Sequence, residues 1–132
     1  MRILIVDDDP PLRKIMSLWL KAHADVHVAS DGEEAFEMFS KLNEDKMPYD
    51  IIFMDIMMPG LNGIETLKKI RALETQSGIP PGRGAKVIMV SAMSGNKSII
   101  GAFKEQCDDY LVKPVDKENL YNAIRKAGYN IG

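Results

Sequence analysis

The sequence predicts an α/β protein built on a five-stranded parallel sheet, and two observations carry that prediction. Short apolar runs recur at 3–6, 26–29, 51–54, 87–90 and 110–112. All but the second, which alternates around His27, are nearly continuous, as strands buried on both faces are. Between the runs, apolar residues return at helical spacing. Five such strand–helix units in strict alternation call for parallel strands joined by right-handed crossovers.

The elements follow in order. Ile3, Leu4, Ile5 and Val6 make the first strand, and Pro10-Pro11 opens a helix whose stripe is Leu12, Ile15, Met16 and Trp19. Asp31-Gly32 marks the next helix start, with Ala35, Met38, Phe39 and Leu42 on one face. Ile64, Leu67, Ile70 and Leu73 form a third stripe, and Ile99, Ala102 and Phe103, within "KSIIGAFK", a fourth. Asp116 announces the last helix, with Leu120, Ala123, Ile124 and Ala127. The one long connection, "TQSGIPPGRGAK" at 75–86, joins a helix end to a strand start. It is therefore expected away from the strand C-termini, as a solvated spacer stiffened by Pro80-Pro81.

The bulk properties exclude several classes. The 132 residues are expected to form one domain, with a core of about 2–127 and a short tail at 128–132. A net charge of −2 with interspersed signs lacks the basic footprint of a nucleic-acid binder. No apolar run approaches membrane-spanning length. A single cysteine, Cys107, excludes an internal disulfide and suits a reducing compartment. Met1 is followed almost at once by a strand, leaving no room for a signal peptide, so the expectation is a cytoplasmic protein.

Open α/β sheets bind ligands outside the carboxyl ends of their strands. The residues there are Asp7, Asp8 and Asp9 in "ILIVDDDP", Asp55 in "IIFMDIMMPG", Ser91 in "VIMVSAM", and Lys113 with Pro114 in "DDYLVKPV". Carboxylates gathered a few ångströms apart raise one another's pKa, and a hard divalent cation removes that penalty. Mg²⁺ suits such a set, because it takes one or two carboxylates and keeps waters and a phosphate oxygen. Lys113 and Ser91 supply an ammonium and a hydroxyl for that phosphate. Asp55 is the candidate nucleophile: a carboxylate that attacks phosphorus forms an acyl phosphate.

Other conspicuous residues have plainer readings. Met54, Met57, Met58, Met89 and Met93 read as core filler rather than a metal or redox site. His23 and His27 read as surface or packing residues, Cys107 as a small buried hydrophobe, and Asp9 as a surface charge or helix N-cap.

Taken together, "VDDD", "FMDIMMPGLNG", "VIMVSAM" and "DYLVKPV", in this order and spacing across the five units, resemble the receiver domain of two-component response regulators. The likeness is to the single-domain, chemotaxis-regulator-like kind and covers Arg2 to about Ala127. It implies a flavodoxin-like, doubly wound sheet of order 2-1-3-4-5 with helices on both faces. By the same resemblance Asp55 is the phosphoacceptor. Asp8 is a direct Mg²⁺ ligand, Asp7 acts through water, and Asp55 and the Met57 backbone carbonyl complete the metal set. Ser91 is the switch hydroxyl, Lys113 pairs with the phosphoryl group, Tyr110 is an aromatic rotamer switch, and the Lys113–Pro114 bond is cis.

The resemblance also implies a histidine kinase or histidine phosphotransfer protein as donor. An unknown downstream protein would be met through about 94–127, comprising 94–106, 109–113 and 116–127. The expected form is a monomer or weak dimer, without enzymatic turnover beyond self-phosphorylation and slow autodephosphorylation. Met57 and Met93 flank the approach of a hydrolytic water and cannot orient it, so a long-lived acyl phosphate is expected.

Three competing functions fit less well. A dehalogenase-type aspartyl phosphatase carries a second acid two residues after its nucleophile, where Met57 stands. A flavodoxin-like cofactor binder would have its flavin phosphate repelled by "VDDDP". A non-phosphorylated scaffold would have no use for Asp7, Asp8, Asp55, Ser91 and Lys113 together.

Overall fold

In the computed structural model, which describes residues 1–92 and 106–131, strands and helices alternate as the sequence predicts as far as the fourth strand, and again after the fifth. The strands are β1 (Arg2–Val6), β2 (Asp25–Ala29), β3 (Ile51–Asp55), β4 (Lys86–Ser91) and β5 (Asp109–Val112). The described helices are α1 (Pro10–Leu20), α2 (Gly32–Glu44), α3 (Gly63–Gln76) and α4 (Lys117–Lys126). All strand pairs are parallel, and the order across the sheet is β2-β1-β3-β4-β5. Of the helix expected over 94–106, residues 94–105, "KSIIGAFK" among them, lie outside the described residues, as does Met93, and Gln106 lies in a turn.

Alternate side chains of the central strands feed two cores. Leu4, Val6, Ile52, Met54, Val87 and Met89 pack with Ala35 and Phe39 of α2 and Leu67 and Ile70 of α3. Their neighbours Ile3, Ile5, Ile51, Phe53, Ile88 and Val90 pack with Met16 and Leu20 of α1 and Leu120 and Ile124 of α4. A strand clothed on both faces must be apolar at every position, which explains the continuous runs.

Helix starts are set locally. Pro10 occupies the first turn of α1, where its missing N–H costs nothing. Asp31 accepts from the Glu34 amide at 2.8 Å and Asp116 from the Asn119 amide at 2.7 Å. The start of α3, for which the sequence reading offered no signal, is a capping box between Asn62 and Glu65. Asp9 holds the N-cap position of α1 without a side-chain capping bond.

Several expectations need correction. The spacing places Ile15 on the inner stripe of α1, but it is 39 % exposed, and Leu20 is buried in its place. The continuous run 110–112 predicts burial on both faces, yet Tyr110 and Val112 are 37 % and 39 % exposed, because β5 is a sheet edge. The 75–86 connection is solvated at Pro80 to Arg83 but fastened beyond them. The buried Glu74 carboxylate accepts from the Ala85 amide at 2.8 Å, and Arg71 donates to the Ala85 carbonyl at 2.8 Å. A side chain on Gly84 would collide with that carboxylate.

The end of the chain is also anchored. Ile131 is 7 % exposed within the α1/α4 core, and the Tyr129 hydroxyl donates to Asp50 at 3.4 Å. His27 is half-buried and shares a 2.7 Å hydrogen bond with Tyr49, whereas His23 is exposed and stands edge-on to Tyr121. Cys107 is a buried free thiol. Among the described residues no helix is long and apolar enough to cross a membrane.

Candidate functional site

The residues singled out at the strand ends converge at one rim. The Asp7 amide donates to the Ala29 carbonyl at 3.1 Å, extending the β1–β2 ladder past Val6. Asp7 is therefore held like a strand residue and is 2 % exposed, while Asp8 faces solvent. The Asp9 amide donates to Asp7 Oδ1 at 2.9 Å, and Arg13 of α1 donates to the Asp7 carbonyl at 2.6 Å. Both bonds fix the turn that presents the acidic pair.

Asp55 is the last residue of β3 rather than the first beyond it, in register with Val90 and 2 % exposed. The next residue is tied on both sides. The Ile56 amide donates to Val90, and its carbonyl accepts from Gly63, each at 3.0 Å. The Met57 amide donates to Asp55 Oδ1 at 3.3 Å, while the Met57 side chain is 68 % exposed. Met93, its expected partner in shielding the phosphoryl group, is outside the described residues.

Lys113 reaches the cluster from beyond β5. Its Nζ lies 3.0 Å from Asp7 Oδ2 and 3.4 Å from Asp55 Oδ2. The Lys113–Pro114 peptide bond is cis. Ser91 ends β4, is 1 % exposed, and accepts from the Lys113 amide through its carbonyl at 2.7 Å. Tyr110 lies on the edge strand in register with Met89 and is exposed.

Charge decides what this arrangement can hold. Asp7, Asp8 and Asp55 each bring an oxygen within 4.8 Å of the others. Lys113 is the one ammonium paired with them among the described ion pairs, so the ionised cluster keeps an excess of negative charge. Burial and the Asp7 charge push the Asp55 carboxyl up from 3.8 to about 6, although Lys113 and the Met57 amide pull the other way. Burial pulls Lys113 down, but its hydrogen bond to Asp7 and the charges of Asp55 and Asp7 outweigh it and hold the ammonium above its ordinary value. An oxygen-only donor set with uncompensated charge and an open, solvent-facing member fits a hard cation such as Mg²⁺.

The sequence reading missed the residues that hold the loop after Asp55. Glu33 Oε1 of α2 accepts from the Leu61 amide at 3.1 Å, across 28 residues of chain. Gly32 lets the start of α2 lie against Leu61 and Thr66, and Gly63 lets α3 approach the Asp55 backbone. A pairing over such a distance leaves no spacing signal. Gly63 belongs to the "PGLNG" stretch, where nothing in the local sequence marks its close approach to Asp55.

A 2-1-3-4-5 parallel sheet carrying carboxylates, a hydroxyl and a lysine at its C-terminal rim has the architecture of a CheY-like receiver domain. The response regulator receiver domain model matches residues 3–125, and the chain belongs to that family. It is 30 % identical over 125 residues to the DNA-binding response regulator MtrA of Mycolicibacterium smegmatis, covering 94 % of this chain and 49 % of MtrA. It is 32 % identical over 128 residues to the Escherichia coli nitrate/nitrite response regulator protein NarL, covering 95 % and 53 %. The chain thus spans about half the length of these curated relatives.

Among solved structures, chemotaxis protein CheY4 of Vibrio cholerae superposes with a TM-score of 0.76 at 26 % identity, covering 96 % of this chain and 97 % of that one. The Thermotoga maritima response regulator TrrA, solved in complex with Mg²⁺ and BeF, gives 0.75 at 30 % identity, covering 96 % and 97 %.

Proposed function

We propose that this receiver domain accepts a phosphoryl group on Asp55 in a Mg²⁺-dependent reaction and thereby switches a protein-binding surface. The observation that carries the reading is the convergence of Asp7, Asp8 and Lys113 on a buried carboxylate at a strand end. The donor is a histidine kinase or a histidine phosphotransfer protein. An Asp55 oxygen attacks phosphorus as the P–N bond to the donor histidine breaks, and the bond's electron pair returns to the imidazole.

Asp8, Asp55 and the Met57 carbonyl would hold Mg²⁺, with Asp7 acting through water. When bound, the metal neutralises the carboxylates and the charge on the transferring oxygens. Lys113 contributes a fixed ammonium on the Asp7 and Asp55 side. Asp55 must be ionised to attack, and the Lys113 ammonium favours that state. Ser91, one strand over, supplies a hydroxyl to the phosphoryl group, and Tyr110 answers the change on the edge strand. The output surface is 94–127, facing a downstream protein. The protein acts as a signalling switch in the cytoplasm, as a monomer or weak dimer, rather than as a turnover enzyme.

The test is intact-mass measurement after incubation with a small phosphodonor and Mg²⁺. Wild type should gain one phosphoryl group and the Asp55→Asn variant none. An equal gain in both would defeat the assignment of Asp55.

A further inference from the structure

We infer that Glu33 is a positioning residue for the metal and phosphoryl site, acting through the loop that follows Asp55. The inference rests on the function proposed above, since it concerns how that site is kept in shape.

The loop 57–62 leaves β3 at Asp55 and must carry the Met57 carbonyl to a fixed place. Its two ends are secured, by the bonds of Ile56 to Val90 and Gly63 and by the capping box of Asn62 and Glu65. Met58 is buried in the α2/α3 core, and between it and the cap at Asn62 lies the stretch least able to hold itself. Gly60 takes a left-handed φ of 73°, and Pro59 and Gly60 are exposed. Glycine keeps more backbone freedom than any other residue, so this segment needs an outside partner to stay in one conformation. Glu33 is that partner. Its Oε1 receives the Leu61 amide, and it lies so near Gly60 that a β-carbon there would stand 3.2 Å from the same oxygen.

The base of the bond is firm. Asp31 caps α2, and Glu34 accepts from the Ser30 amide at 2.8 Å, so the first turn carrying Glu33 is fixed to the end of β2. Gly32 permits the close approach: a side chain there would strike Thr66 and the Leu61 carbonyl. Two contacts thus join α2 to Leu61, one steric and one hydrogen-bonded. The path from Glu33 to the metal-binding carbonyl runs through four residues of one short loop. Glu33 itself touches none of Asp7, Asp8 and Asp55 in any described contact.

The acceptor oxygen, not the negative charge, is what the geometry uses. That separates the inference from a through-space effect of one more carboxylate near the cation. The experiment measures Mg²⁺ affinity by amide chemical shifts for wild type, Glu33→Ala and Glu33→Gln, alongside phosphoryl uptake at low and saturating Mg²⁺. Expected is a loss of about three- to tenfold in Mg²⁺ affinity for Glu33→Ala, the size of one ordinary hydrogen bond. Near-complete recovery is expected for Glu33→Gln, whose amide oxygen accepts the same bond. Uptake by Glu33→Ala should be slow at low Mg²⁺ and close to wild type at saturation.

Unchanged affinity in Glu33→Ala would overturn the inference. So would equal losses in Glu33→Ala and Glu33→Gln, which would assign the effect to charge. A wild type that binds Mg²⁺ but takes up no phosphoryl group would instead overturn the proposed function, while the affinity comparison would still judge Glu33.

Discussion

A β-carbon on Gly63 would collide with the backbone carbonyl of Asp55. The first residue of α3 and the last residue of β3 are thus in direct backbone contact, with the Gly63 amide bonded to Ile56 between them. Gly63→Ala has no flexible neighbour to displace, so the helix start or the strand end must move. The expected cost is about 1–3 kcal/mol of stability, as for overpacking elsewhere. Urea unfolding of the two proteins checks it, and phosphoryl uptake by Gly63→Ala should fall because Asp55 shifts.

The ionisation of Asp55 should make metal-free stability depend on pH. Its carboxyl is pushed up from 3.8 to about 6 in the fold, so the folded protein binds that proton more tightly than the unfolded chain. The resulting stabilisation is full below about 3.8 and is lost as pH rises through about 6. Its size is on the order of 2–3 kcal/mol. Asp55→Asn lacks the titration. In chelator, the stability of wild type minus that of Asp55→Asn should therefore fall between pH 4 and 7 and then level off. A flat difference across that window would contradict the environment described for Asp55. Added Mg²⁺ should shrink the gap at pH 7.

Lys113→Met should leave Asp7 and Asp55 without their shared ammonium. Both carboxylates are almost fully buried and lie 3.0 and 3.4 Å from the lost nitrogen. The metal-free variant should be less stable at pH 7 by about 1–3 kcal/mol, the cost of stripping a charged partner from a buried group. Lowering the pH to 4, where Asp55 can take a proton, should recover part of that loss. Thermal melts at the two pH values decide the point.

The phosphoryl group on Asp55 should be long-lived. Met57 is the residue two beyond the acceptor and is a flexible apolar chain with no strong donor or acceptor for water. Met57→Asn would supply a group able to orient the hydrolytic water. The expected acceleration is about 1–2 kcal/mol in barrier, or roughly five- to thirtyfold in rate. Because Met57 is 68 % exposed, it can also swing clear and admit water unaided, in which case the two lifetimes would be equal and the shielding idea would fail. Loss of the radiolabelled or mass-shifted form over time, in the same buffer and Mg²⁺, gives both lifetimes.

The sequence by itself determined the alternation of strands and helices and the set of chemical groups at the rim. Both are local properties. Short continuous apolar runs between turn signals fit strands of a covered parallel sheet, and in such a sheet the residues after each run share one edge. Asp7, Asp8, Asp55, Ser91 and Lys113 were legible for that reason, as were the helix starts at Asp31 and Asp116. The strand order and the individual roles came from family resemblance, not from spacing.

Only the tertiary structure decided how those groups interact. That Lys113 divides itself between Asp7 and Asp55, and that burial leaves Asp55 reluctant to ionise, depend on distances between strand ends that no spacing encodes. The same holds for Glu33 and Leu61, whose contact exists only because Gly32 lets α2 approach the loop. In α1, Ile15 belongs to the stripe that spacing defines and Leu20 lies outside it, yet the rotation of the helix on the sheet buries Leu20 and exposes Ile15. Such a rotation is set by the packing of both partners, so one helix's sequence cannot state it. Tyr110 and Val112 are exposed for a related reason: the run at 110–112 reads like a central strand, and its place at the sheet edge is a property of the assembled sheet.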